Sequence, residues 1–157
     1  MAFAWAVALI AAATPAHQSL TLAGLHLGET VDEARGQIAS EHFSMRPLQQ
    51  FKRLQTYLLY NSSNEIFGNV GICDGRVWSV GTSLDDRDAF NALLRDNLAK
   101  YGQPAISFRS IPSSDSSTLF ERIVYRWADM RYEISISARD NQLLVPEQNM
   151  LASPTCE

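Results

Sequence analysis

The stretch Ile72-Cys73-Asp74-Gly75-Arg76-Val77-Trp78 decides the fold class. Asp-Gly between two runs of β-forming residues is a two-residue hairpin signal, because the turn needs positive φ and Gly adopts it without steric cost. It predicts antiparallel strands over 65–73 and 76–82. Gly68 and Gly71 in the first strand mark a bulge or a close approach of backbones. Upstream, Leu54, Thr56, Leu58 and Tyr60 alternate with Gln55, Tyr57 and Leu59, which predicts a strand over 53–60. Asn61-Ser62-Ser63-Asn64 is the turn after it. Pro47 breaks any long helix over 45–52 and leaves that segment without a clear state.

Two helices frame these strands. Thr30-Val31-Asp32-Glu33 is a capping-box pattern, and Val31, Ala34 and Ile38 share one helical face, so a helix is expected over 31–41. The second helix follows Asp85, its expected cap, with Asp86 and Asp88 where the dipole favours negative charge. Phe90, Leu93, Leu94, Leu98 and Tyr101 form its apolar stripe. Gly102 and Pro104 end it. Strands are then expected over 105–111, 119–128 and 131–138, with a Ser-rich loop at 112–118 and a turn at Asp129-Met130. Tyr132, Ile134, Ile136 and Ala138 are expected to face inward, and Arg131, Glu133, Ser135 and Ser137 outward. The expected fold is α+β: two helix-plus-three-strand halves, 20–83 and 84–140, forming a two-layer sandwich with the helices on one face of a mostly antiparallel sheet. Residues 141–157 read as a C-terminal tail.

The chain has 157 residues, is 46% hydrophobic and 19% charged, and carries a net charge of −4. That composition fits one globular domain, or two very small ones sharing a core, and excludes disorder. No basic stripe exists, so nucleic acid is not an expected partner. Residues 2–13 are uncharged and apolar and end in Thr14-Pro15-Ala16, which fits a secretory signal of residues 1–16. The competing reading is a buried N-terminal helix, since no Lys or Arg precedes the apolar run. A spanning helix needs about 20 apolar residues, so no stable membrane anchor is expected after cleavage. Lys occurs only at Lys52 and Lys100 among the basic residues, a bias that suits a bacterial source, and the expected location is the periplasm or the exterior. In an oxidising compartment Cys73 and Cys156 are a candidate disulfide; the alternative is two independent thiols.

Leu25-His26-Leu27-Gly28-Glu29-Thr30-Val31-Asp32-Glu33-Ala34 resembles the opening of small bacterial envelope domains. These are the outer-membrane assembly lipoproteins of the SmpA/OmlA type and the tandem domains of beta-lactamase inhibitory protein. The Cys73–Val77 hairpin is similar to one in their sheets. No lipidation Cys follows the apolar run, and the four-Cys pattern of the inhibitor is absent. The resemblance implies a non-catalytic protein-binding module.

Nothing in the motifs points to an enzyme, a cofactor or a metal site. His17, His26 and His42 form no nucleophile pattern with Cys73. Asp85, Asp86 and Asp88 lack the glycine and distal Glu of a calcium loop. Asn61-Ser62-Ser63 matches a glycosylation acceptor, but in a bacterial product it reads as a turn. The candidate binding residues are Tyr57, Trp78, Arg122, Arg126 and Arg131, because Tyr, Trp and Arg carry most interface hot spots. Either the strand aromatics form an exposed patch opposite the helices, or they face the helices as core. Two functions follow: a module that binds another envelope or secreted protein, or a carrier of a small apolar ligand held between sheet and helices.

Overall fold

In the computed structural model, Asp74 and Gly75 have φ of 50° and 75°, the left-handed pair that a tight hairpin turn of this hand requires. The structure describes residues 21–112, 119–128, 131–139, 142–143, 146–152 and 156. The proposed signal, the 113–118 loop and the Asp129-Met130 turn lie outside them. In chain order the elements are α1 (Val31–Ser40), β1 (Ser44–Phe51), β2 (Leu54–Tyr60), β3 (Ile66–Cys73), β4 (Arg76–Ser83) and α2 (Arg87–Tyr101). There follow β5 (Ala105–Pro112), β6 (Leu119–Trp127), β7 (Tyr132–Arg139), β8 (Gln142–Leu143) and β9 (Glu147–Leu151).

The sandwich of two helix-plus-three-strand halves does not form. One antiparallel sheet runs in the order β1-β2-β3-β4-β9-β7-β6-β5, with β8 beside β7. Two sequence features hid this. Pro47 marked 45–52 as a break, but β1 is an edge strand, where a missing N–H costs no ladder bond. Its register shifts between Pro47 and Gln49. The first unit therefore has four strands. The second feature is the segment expected to be tail. Glu147-Gln148-Asn149 has no apolar alternation, yet β9 pairs with β4 on one side and β7 on the other. It closes the gap between the two expected halves and fuses them.

Pro47, Tyr57, Val70, Val80, Met150, Tyr132 and Trp127 stand opposite one another in successive strands. Residues directly opposite share a face. Both helices meet that row. Arg35 of α1 lies over the Tyr57 ring at 5.8 Å. Asn97 of α2 donates to the Tyr132 hydroxyl at 3.4 Å, and the Tyr101 and Trp127 rings are 6.5 Å apart. Val70, Val80, Ile134 and Met150 fill the space between sheet and helices and are almost fully buried. Each such side chain contributes about 1.5–3 kcal/mol by leaving water. Tyr57, Trp127 and Tyr132 thus belong to the core.

The caps follow local chemistry. Thr30 and Glu33 form the reciprocal box at the start of α1. At α2 the cap is Asp86, not Asp85: its carboxylate accepts from the Ala89 N–H at 2.8 Å. Glu133, Ser135 and Ser137 are also corrected. They lie on the face away from the helices but are buried. Arginines of the neighbouring strand β6 cover two of them: Arg122 donates to Ser137 Oγ at 3.0 Å, and Arg126 to Glu133. Cys73 and Cys156 are joined in a disulfide with Cα atoms 6.0 Å apart.

Candidate functional site

The end of β9 brings Trp78 and Arg131 to one place. The Leu151 N–H donates to the Arg131 carbonyl at 2.9 Å, and the Ala152 N–H to the Trp78 carbonyl at 2.7 Å. β9 therefore holds β4 and the start of β7 one strand-width to either side. Trp78 is the extra residue of a bulge, since Gly71 pairs with Ser79 while Ile72 pairs with Val77. A bulge re-aims a side chain out of the regular alternation. Gly71 makes this possible: a Cβ there would sit 2.4 Å from Ser79 Oγ and 3.6 Å from the Trp78 ring.

Around this point lies a hollow of about 460 Å³, walled by Trp78, Arg126, Arg131, Glu133, Leu151 and Ala152. A second hollow of about 400 Å³ shares Trp78, Arg131 and Ala152 and adds Arg53, Asp74 and Arg76. Among the described lining residues four guanidiniums stand with two carboxylates, an excess of two positive charges on a chain of net charge −4.

The four arginines are not equivalent. Arg126 donates to Glu133 Oε2 from Nε at 3.1 Å and from Nη2 at 2.7 Å. Glu133 is only 10% exposed, so this pair is partly desolvated. Arg53 donates to Asp74 from Nε at 2.8 Å and also from Nη2. That guanidinium holds the Asp74 carboxyl below the usual carboxylate range. Arg76 donates one N–H to the Gly28 carbonyl at 2.8 Å. The Arg131 side chain has no hydrogen-bond or ion-pair partner among the described residues.

Of the residues expected to bind, the fold brings Trp78, Arg126 and Arg131 together. Arg122 lies on the same face of β6 but is occupied by Glu147 at 3.3 Å. Tyr57 is elsewhere: at 3% exposure it is core beneath α1. Sequence reasoning grouped Arg76 with Arg122, Arg126 and Arg131 near the strand aromatics, but did not single out Arg53, Leu151 or Ala152. Arg53 and Arg76 flank strand ends at the Asp74-Gly75 turn, a signal that could have grouped them. Leu151 and Ala152 could not be found without knowing that β9 is central. Among the described residues, no group of three His, Cys, Asp or Glu side chains could hold a metal ion. Cys73 is bonded and offers no thiol nucleophile.

No protein-family model, curated protein or solved structure matches the chain.

Proposed function

We propose that this chain is a secreted bacterial, non-catalytic module of the cell envelope that binds another envelope or secreted protein. The observation that carries this reading is the meeting of Trp78, Arg126 and Arg131 around an open hollow at the sheet end. An aromatic and guanidiniums beside a concave, partly apolar wall form the composition of an interface hot spot. The Cys73–Cys156 disulfide supports an oxidising compartment. The carrier reading places its ligand between sheet and helices, and that space is occupied by Val70, Val80, Ile134 and Met150.

The test is affinity capture from envelope extract of the native host, followed by mass spectrometry. The immobilised protein should be compared with Trp78→Ala and Arg131→Asn. Arg131→Asn removes a charge that has no ion-pair partner among the described residues, at a φ of 53°, a conformation Asn tolerates. Charge reversal at Arg126 is a poorer control, because it sets a second carboxylate beside the nearly buried Glu133. A stoichiometric protein retained by the parent and lost by Trp78→Ala supports the module. Empty capture by the parent chain overturns it.

A further inference from the structure

We propose that the two adjoining hollows form a subsite for an acidic side chain of the partner polypeptide. Arg131 and Arg76 receive its carboxylate, and Trp78 and Leu151 receive its aliphatic stem. The inference rests on the binding-module reading and adds the chemistry of what is bound.

Two of the four guanidiniums already face a carboxylate: Arg53 faces Asp74, and Arg126 faces Glu133. Arg76 donates one N–H to the neutral Gly28 carbonyl, which leaves further donors on the same guanidinium. The Glu33 carboxylate also lies within Coulombic reach of Arg76. Its Oε2 is committed to Thr30, at 2.8 Å from the N–H and 2.7 Å from the hydroxyl. Arg131 lines both hollows and has no side-chain hydrogen-bond or ion-pair partner among the described residues.

The backbone of Arg131 is nevertheless held on both sides. Its N–H donates to the Ala128 carbonyl at 3.0 Å, and its carbonyl accepts from Leu151. The guanidinium therefore stands on a fixed base, so binding orders only the side chain. A carboxylate matches the guanidinium fork with two parallel N–H···O bonds. The walls select among anions. Trp78, Leu151 and Ala152 give apolar surface that a bare inorganic anion leaves in water.

The test uses the full chain and two capped peptides, Leu-Glu-Glu-Leu and its isosteric Leu-Gln-Gln-Leu. Binding is read from the Trp78 indole resonance, assigned with Trp78→Phe. The acidic peptide should bind about tenfold tighter at low salt, as charge-assisted hydrogen bonds do over neutral ones. That advantage should shrink in 0.5 M NaCl, where the Debye length is only a few ångströms. Arg131→Asn should abolish the preference, and Arg87→Gln, an exposed change on α2, should keep it. Equal binding of the two peptides, or a preference that survives Arg131→Asn, overturns the proposal. So does inorganic phosphate that shifts the same resonance at lower concentration than the acidic peptide. A captured protein lost with Trp78→Ala, but indifferent to salt and to Arg131→Asn, overturns the acidic subsite and leaves the binding module standing. Peptide preference with empty extract capture does the reverse.

Discussion

Ala152 donates its backbone N–H to the carbonyl of Trp78 at 2.7 Å. Seventy-odd residues separate them in the chain, and the bond fixes one wall of the hollow. Beyond it, the chain returns to Cys73 through Cys156. The site therefore depends on how firmly β9 is held between β4 and β7.

Removing the disulfide should loosen that strand. A bridge spanning 83 residues of sequence restricts the unfolded chain strongly, and loss of such a native bridge costs roughly 2–5 kcal/mol. Cys73→Ser with Cys156→Ser should lower the urea midpoint by a corresponding amount. Hydrogen exchange at the β9 amides should accelerate before exchange in β2 or β3. Equal protection across the sheet in the double variant would count against the clamp.

Tyr132 should limit stability in alkali. Burial pushes its hydroxyl up to about 12, above the ordinary value near 10. The folded state keeps the proton that the unfolded state releases between these values. The contribution is thus complete below pH 10 and lost as pH rises towards 12. At 3% exposure it amounts to at most about 2–3 kcal/mol. Tyr132→Phe should flatten the alkaline limb of the stability curve, measured by denaturant titration from pH 8 to 11.

Two glycines should respond to alanine with opposite signs. A Cβ at Gly68 would lie 2.3 Å from the backbone oxygen of Gly81, which cannot swing aside. Gly68→Ala should cost about 1–3 kcal/mol or more through overpacking. Gly36 sits inside α1 with nothing within 4 Å of the added carbon. Gly36→Ala should gain about 0.5–1 kcal/mol from reduced unfolded-state freedom. Thermal unfolding of the two variants reads both signs.

Met150 and Phe108 test where the core lies. Met150 is 1% exposed at the middle of the sheet, whereas Phe108 on edge strand β5 is 77% exposed. Met150→Ala should cost about 2–5 kcal/mol. Phe108→Ser should stay within about 0.5 kcal/mol. A comparable loss at Phe108 would mean that this edge is covered in solution.

The chain's local structure was legible wherever the cause is local. Asp74-Gly75, the Thr30–Glu33 box, the stripe of α2 and the alternation of β7 each act within a few residues. Their elements form close to the expected positions. Pro47 misled because its effect depends on whether its strand is at an edge. Trp78, Arg126 and Arg131 were legible as residue types suited to binding, but not as neighbours.

What the sequence determined by itself is the set of hairpins and helices, because turn chemistry, capping and side-chain period operate along the chain. What only the tertiary structure decided is the joining of those pieces. β9 reads as polar, yet Gln148 accepts the Tyr132 hydroxyl at 3.1 Å, and Asn149 lies over Gly81. A central strand can carry such residues once both neighbours supply ladder bonds and partners for its amides. Those neighbours, β4 and β7, are remote in sequence from one another, and neither announces that it will accept β9. The hollow exists only because they do.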